Sequence, residues 1–283
     1  MKAIVLNLSA WIILPFMDAI AKYLSSELSF FQITWARYFF TVFFTLPFMF
    51  LFFKHQLKWT ANPKLQFYRG LSLLLANICF FYSISIISMA KALTLAFVAP
   101  LITTALSPVF LGEKVGLRRW SAVIIGFLGI LVVIRPGIIE FNIASIAAIG
   151  TGFFYGIYII ITRKLHSIDS PLLTLLLTGV VGAIIASFVV PVVWINPNLI
   201  QWSWLALMGI FACLGHILLI YSLRYADASK LAPFGYFEII PNIILGFYLF
   251  NDFLDIWSFV GLIVIISSGL FIIRREYSLK YSK

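Results

Sequence analysis

Ten apolar runs, each long enough to cross a lipid bilayer as a helix, dominate the sequence. A helix that rises 1.5 Å per residue needs about 20 apolar residues to cross about 30 Å of hydrocarbon. The runs are apolar on all faces, whereas strands of a membrane barrel alternate in polarity. The sequence therefore predicts an all-α membrane protein with ten transmembrane helices. The predicted spans lie near residues 3–22, 31–53, 67–88, 91–111, 119–135, 143–163, 172–194, 202–223, 229–250 and 256–274.

Composition excludes a soluble domain. Hydrophobic residues make up 63% of the 283 residues and charged residues 11%, against about 45–50% and about 25% in soluble proteins. Exposed apolar surface costs about 25 cal/mol per Å² in water, and lipid removes that cost. The links between the runs are short, so we expect a multi-pass protein without a soluble catalytic module.

The net charge of +10 follows membrane topology. Of the 20 Lys and Arg residues, 16 fall at the two termini, in the loops after the even-numbered spans, or within the three span residues next to these segments. Cytoplasmic loops are enriched in Lys and Arg, so both termini are predicted to be cytoplasmic. The basic ends can also contact anionic lipid, and the charge is not interpreted as nucleic-acid binding.

The two halves of the chain repeat weakly. One constant shift, applied without a gap, superposes Tyr82-Ser83 on Tyr221-Ser222, Lys91 on Lys230, and Leu111-Gly112-Glu113 on Phe250-Asn251-Asp252. We call this shift the repeat offset. Each half holds five spans, an odd number, so the second copy must enter the membrane from the opposite side. Many secondary transporters use such inverted repeats.

The order of several short motifs along the chain resembles a known family. These are Trp11, 17–24 (MDAIAKYL), 35–38 (WARY), Arg69-Gly70, 99–101 (APL), 111–114 (LGEK), Gly215-His216 and 228–238 (ASKLAPFGYFE). In this order they resemble the EamA family of the drug/metabolite transporter superfamily over essentially the whole chain. The last string is similar to the subgroup that includes S-adenosylmethionine uptake transporters. The second copy of the LGE motif departs from the pattern, since it reads Phe-Asn-Asp.

The resemblance implies two inverted five-helix EamA repeats, over residues 1–137 and 138–283. It implies a secondary active transporter that moves a small metabolite across the inner membrane by alternating access. The substrate class that the resemblance implies is S-adenosylmethionine or another cationic or amine metabolite. The alternative is an amino-acid or drug/metabolite exporter of the same fold. A proton or a counter-solute remains open as the coupling partner, and the oligomeric state is open.

Three ionisable residues lie near the predicted external ends of the first two spans. Asp18 and Arg37 lie at depths that differ by about 3 Å, so they are able to pair. Lys22 lies one turn beyond Asp18 on the same face. They form either an external gate or an anion-binding arginine with its counter-ion. The alternative is a structural ion pair, or Lys22 and Arg37 snorkelling to the headgroups.

A second ionisable pair lies in the eighth and ninth spans. His216 and Glu238 nearly match in depth, and a His–Glu pair inside a helix bundle is able to relay a proton. Glu238 is alternatively a site for a cationic substrate group. The structural alternative is an interhelical hydrogen bond, worth about 0.6 kcal/mol in membranes.

Aromatic hydroxyl side chains mark a candidate cavity wall. Tyr155 and Tyr158 belong to a stripe on one face of the sixth span, where they are flanked by Thr151 and Thr162. Such rings are able to stack on a flat or cationic solute, although ordinary helix packing explains them equally well. Tyr82 and Tyr236 offer further rings with hydroxyls.

Prolines interrupt the fourth and ninth spans, which correspond in the two halves: Pro100, Pro233 and Pro241. Interrupted spans at matching places mark binding sites in transporters.

Two rival classes lack the motifs that they need. The histidines are isolated and neither HExxH nor Walker A occurs, so we expect no enzyme, metal or cofactor. A channel would need a filter-like loop between spans, and the sequence has none.

Overall fold

Helices account for all the regular structure in the described part of the chain. The computed structural model describes residues 2–111, 116–134, 142–165, 168–225 and 234–281. The α-helices are α1 (Lys2–Leu24), α2 (Phe30–Phe52), α3 (Pro63–Ile84), α4 (Met89–Ala96), α5 (Ala99–Leu111), α6 (Leu117–Ile134), α7 (Ile143–Leu165), α8 (Pro171–Val189), α9 (Leu199–Tyr225), α10 (Ile239–Phe250) and α11 (Ile256–Tyr281). Short 3-10 turns lie at Lys54–Gln56, Val190–Val193 and Tyr236–Glu238.

Seven segments are long and apolar enough to cross a membrane. They are Lys2–Leu24, Phe30–Phe52, Pro63–Ile84, Met89–Leu106, Ile143–Thr162, Pro171–Val193 and Leu199–Ser222. Shorter apolar helices follow at Ile124–Ile134, Tyr236–Phe250 and Ile256–Ser268. The protein is therefore a multi-pass, all-helical membrane protein, while ten crossings and the side of the termini stay predictions.

The predicted fourth span is not one continuous helix. It breaks at residues 97 and 98 between α4 and α5, and Pro100 is the second residue of α5. The ninth span is interrupted in the same place, by the 3-10 turn before α10, and Pro241 is the third residue of α10. A proline is tolerated in the first turn of a helix, where its missing N–H would have no intrahelical partner. Pro233, Lys230 and Glu113 lie outside the described residues.

The helices pair across the two halves in a symmetric pattern. Helix α1 packs on α9 and α3 on α7, and these two contacts exchange when the halves are exchanged. The pairs α2–α8, α4–α10 and α6–α11 each exchange with themselves. This is the contact pattern that an approximate two-fold axis produces. The predicted boundary at residue 137 lies outside the described residues and stays a prediction.

Two glycines make the same close approach in the two halves. Gly70 on α3 faces Val181 on α8, and Gly209 on α9 faces Phe40 on α2. A Cβ at either glycine would lie within 3 Å of the facing side chain. The repeat offset superposes the two glycines on each other. Their shared role is to let neighbouring helices approach closely.

Candidate functional site

Arg37 and His216 are joined in the interior of the helix bundle. Arg37 on α2 is 3% exposed and His216 on α9 is 6% exposed, and α2 packs on α9. Arg37 Nη2 lies 3.2 Å from His216 Nε2, and Arg37 Nε donates to the Met17 sulfur at 3.3 Å. The guanidinium carbon also lies 4.6 Å from the centroid of the Tyr38 ring. Arg37 is thus held in place from α1, α2 and α9.

The hydrogen bonds of His216 determine the tautomer and the charge of its imidazole. His216 Nδ1 lies 3.1 Å from the Ala212 carbonyl oxygen, which can only accept, so Nδ1 carries a hydrogen. Arg37 can only donate, so Nε2 accepts. His216 is therefore neutral in this arrangement.

Two carboxylic acids share the same region. Asp18 on α1 is 3% exposed, and Glu238 lies at the end of the 3-10 turn that precedes α10. Asp18 interacts electrostatically with Arg37 and with Glu238. Within the described residues, neither carboxylate accepts a hydrogen bond from a side chain or forms an ion pair within 4 Å. Both acids therefore keep oxygens free for a ligand or a proton.

The structure refines one predicted pairing and corrects the other. Asp18 and Arg37, which lie at depths that allow pairing, interact electrostatically, but the side chain that the Arg37 guanidinium contacts directly on α9 is His216. The expected His216–Glu238 pair does not form, because both ring nitrogens of His216 bond to Arg37 and Ala212. Two residues at equal depth in the membrane are able to meet only if their helices pack against each other with the two side chains facing.

Lys22 belongs to a different part of the molecule from Asp18. Its Nζ lies 2.8 Å from Asp252 Oδ2 and donates to the Ile87 carbonyl at 3.0 Å. Asp252 Oδ2 also accepts from the Met89 backbone N–H at 3.1 Å, at the start of α4. We call this arrangement of Lys22, Asp252 and Met89 the latch. It joins the ends of α1, α4 and α10, and thus both halves of the chain.

Asp252 is positioned by an unusual backbone conformation. The preceding residue, Asn251, has φ of 53° and caps α10 in the left-handed region. Glycine and asparagine are the residues that favour this conformation at a helix end. The repeat offset aligns Asn251 with Gly112 and Asp252 with Glu113, so the departure from the LGE motif keeps the residue types suited to a cap and an acid.

Tyr155 and Tyr158 on α7 form a stacked pair. Their ring centroids lie 5.3 Å apart, with ring planes inclined at 29°. Tyr155 interacts electrostatically with Glu238, Arg69 and Arg37. Tyr158 is 3% exposed and Tyr155 is partly exposed. Tyr155 is therefore the more exposed ring of the stacked pair, and Tyr158 is the buried one.

The other two predicted tyrosines each pack against a phenylalanine. Tyr82 packs against Phe30 with centroids 5.3 Å apart and is not brought to the ionisable groups. Tyr236 packs edge to face on Phe97 at 5.2 Å and 75°. Its hydroxyl is buried and has no hydrogen-bond partner within the described residues.

Sequence reasoning named Arg69 only as part of a family motif and not as a candidate site residue; it lies in α3 and is 1% exposed. Its Nε donates to Thr162 Oγ1 at 2.8 Å, and Nη2 donates to the Tyr158 hydroxyl at 2.7 Å. Nη1 donates to the Thr174 carbonyl at 3.2 Å and to the Thr178 hydroxyl. One charge inside an apolar run was the signal that could have found it.

Asn242 on α10 was also missed. It is 0% exposed, and both its amide nitrogen and its amide oxygen lack a hydrogen-bond partner within the described residues. It lies one helical turn beyond Glu238. A buried polar group without a partner costs about 1–3 kcal/mol, so Asn242 destabilises the packing of α10 in this conformation.

The comparisons with known proteins agree with this architecture. The model of the EamA-like transporter family matches residues 1–135 and again residues 142–274. The chain is 30% identical over 262 residues to the S-adenosylmethionine uptake transporter of Rickettsia conorii, with 92% of this chain and 88% of that protein covered. It is 29% identical over 286 residues to the protein of the same name from Rickettsia prowazekii, covering 98% and 96%.

A more distant relative and a solved structure extend the comparison. The riboflavin transporter of Vibrio cholerae is 31% identical over 192 residues, which cover 66% of this chain and 63% of that protein. A crystal structure with 15% identity superposes with a TM-score of 0.65 over 95% of both chains. At this identity the likeness supports the fold alone.

Proposed function

The chain belongs to the EamA-like transporter family, and we propose that it carries a small cationic metabolite across the inner membrane by alternating access. The proposed substrate class is S-adenosylmethionine or a similar sulfonium or amine compound. The proposed architecture has ten crossings in two inverted five-helix repeats, over residues 1–137 and 138–283, with both termini in the cytoplasm.

The charge balance at Asp18, Glu238, Arg37 and His216 carries the proposal. His216 is neutral in its hydrogen-bond arrangement, so these four residues hold two acids and one permanent cation. With both acids ionised, the four together carry one negative charge in excess, while the buried Arg69, which interacts electrostatically with His216, has its N–H groups bound to neutral acceptors. An uncompensated charge is costly inside a bilayer. A bound cation or a proton removes the excess.

S-adenosylmethionine has the complementary charge. Its sulfonium and ammonium groups exceed its carboxylate by one positive charge. Two relatives that match over most of their length are named S-adenosylmethionine uptake transporters, and their names support the same substrate.

The same charge balance suggests how transport is coupled. A proton on either carboxyl satisfies the site when the substrate has left. Substrate and proton would then compete for one site, which is the requirement for exchange. A counter-solute of the same charge would act in the same way.

The latch supports the idea of two alternating conformations. Lys22 and Asp252 close the end of the molecule that the charge distribution predicts to be external, and they join opposite halves. Asn242, buried in the first turn of α10 without partners in the described part of the chain, costs free energy in the same conformation. Opposing contributions of this kind keep two conformations close in free energy, which alternating access needs.

The stacked pair of Tyr155 and Tyr158 favours a second candidate substrate class. A neutral planar solute is able to stack on Tyr155 without using the excess charge. The riboflavin transporter of Vibrio cholerae carries such a solute by its name. Export of an amino acid or a drug would use the same fold.

A comparison of two ligands that differ in one positive charge tests the proposal. We would reconstitute the purified protein in liposomes and measure counterflow and thermal stabilisation with S-adenosylmethionine, S-adenosylhomocysteine, riboflavin, amino acids and polyamines. S-adenosylhomocysteine lacks one methyl group and the sulfonium charge. We expect saturable counterflow of S-adenosylmethionine and weak competition by S-adenosylhomocysteine. Equal competition by both, or single-channel conductance, contradicts the proposal.

A further inference from the structure

We propose that Arg69 is a specificity-determining positioning residue, which holds Tyr158 and Tyr155 as a wall that stacks on the aromatic base of the substrate. This inference rests on the proposed function. It means that a residue which does not contact the substrate determines the preference for solutes with a planar ring over solutes without one.

Arg69 is not available to bind a substrate anion. Four of its five N–H groups donate, to Thr162, Tyr158, Thr178 and the Thr174 carbonyl. Its side chain is buried. Within the described residues, no carboxylate lies within 4 Å of its guanidinium. The hydroxyls and the carbonyl are neutral acceptors that stabilise the positive charge. The guanidinium therefore serves to orient its neighbours.

Tyr158 is the neighbour that Arg69 fixes in two directions. Arg69 Nη2 donates to the Tyr158 hydroxyl at 2.7 Å, which fixes the far end of the ring. The guanidinium carbon also lies 4.5 Å from the ring centroid, in range of a cation–π contact. A tyrosine bound at its hydroxyl and contacted on its ring has little freedom to rotate.

Tyr155 connects the fixed ring of Tyr158 to the proposed substrate site. It stacks on Tyr158 with centroids 5.3 Å apart, its ring is partly exposed, and it interacts electrostatically with Glu238 and Arg37. A base that stacks on Tyr155 while a cationic group approaches Glu238 would use both features at once. Tyr155 and Tyr158 would therefore recognise the planar ring of the substrate, and the two acids would recognise its positive charge.

The test compares two sulfonium compounds. S-adenosylmethionine has a nucleoside, and S-methylmethionine has the sulfonium, ammonium and carboxylate groups without one. We would measure both dissociation constants for wild type, Arg69→Lys, Arg69→Met, Tyr158→Phe and Tyr155→Ala. Lys58→Met, at an exposed loop position, serves as the control.

We expect wild type and Lys58→Met to prefer S-adenosylmethionine by about tenfold, the magnitude of one base–aromatic stack. The preference should fall towards one in Arg69→Met and Tyr155→Ala, and by less in Arg69→Lys and Tyr158→Phe, with affinity for S-methylmethionine unchanged. Should Arg69→Met fail to fold, Tyr158→Phe and Tyr155→Ala still test the wall.

An equal loss of affinity for both compounds indicates a merely structural Arg69 and overturns the inference, as does a wild type without preference. If wild type binds neither compound, the proposed function itself has failed. The two failures are therefore distinguishable.

Discussion

Phe97 and Tyr236 pack edge to face with ring centroids 5.2 Å apart, and the repeat offset superposes these two residues on each other. Two residues that correspond in the repeats can touch only close to the axis that exchanges the halves. The axis therefore passes beside the break between α4 and α5 and the 3-10 turn before α10. Both interruptions lie where the two halves meet.

The symmetry makes a prediction for Gly70 and Gly209. An alanine at either position would place a methyl group within 3 Å of Val181 or Phe40. Overpacking of this kind costs about 1–3 kcal/mol. We expect Gly70→Ala and Gly209→Ala each to lower the apparent melting temperature of the purified protein by several degrees.

Gly116→Ala is the matched control, because an added Cβ there meets nothing within 4 Å. A melting temperature equal to that of the control in both variants would contradict the close approach of the helices.

The latch makes a separate prediction. Lys22→Met and Asp252→Asn should each favour the conformation in which this end is open. Asp252→Asn keeps an oxygen for the Met89 N–H, so it removes chiefly the ion pair. Surface ion pairs contribute about 0.2–1 kcal/mol, and Lys22 and Asp252 are only 15% and 17% exposed, so a shift of about fivefold, at the upper end of that range, is expected.

The measurement is the labelling rate of a cysteine at Ala90, a buried position on α4, in a background without Cys79 and Cys213. The double variant should label no faster than the faster single variant, since one interaction is lost in all three. Additive increases would show that Lys22 and Asp252 do not act as a pair.

The sequence predicted the helices well because apolar length alone determines which segments enter lipid. The predicted runs and the observed helices follow the same order, with α3 starting at Pro63 instead of residue 67. That small error had a consequence. It placed Arg69 at the edge of a span, where it was counted with the loop charges, while the helix in fact buries it.

Side-chain partners were harder to predict, for a geometric reason. Sequence gives the depth of Asp18, Arg37, His216 and Glu238 along their helices, but not the rotation of each helix or its neighbours. Helix α1 packs on α9, and α2 packs on both α8 and α9. Arg37 therefore meets His216 across the α2–α9 contact, a pairing that depth alone did not indicate.

The hydrogen bonds of His216 predict that it does not carry the transported proton. Nε2 already accepts from Arg37, and adding a hydrogen there would place two donors against each other. We expect His216→Gln to retain transport and its pH profile between pH 5 and 8, because a glutamine oxygen is able to accept from Arg37. His216→Leu should lose most of the transport, since it leaves a buried guanidinium hydrogen without its acceptor. A pH profile flattened in His216→Gln would instead identify the histidine as the proton carrier.

Glu238 is expected to be essential because of the charge that it contributes. Glu238→Gln leaves Asp18 and Arg37 in balance, so the site no longer holds an excess negative charge to attract a cation. Uptake in liposomes should be abolished or should lose its dependence on a proton gradient, while the protein remains in the membrane. Glu27→Gln removes a carboxylate from an exposed position where Glu27 bonds to Gln201, and it should transport as wild type does. Wild-type uptake by Glu238→Gln across pH 5–8 would show that the excess charge does not drive binding, and the cationic substrate class would then have to be abandoned in favour of a neutral solute stacked on Tyr155.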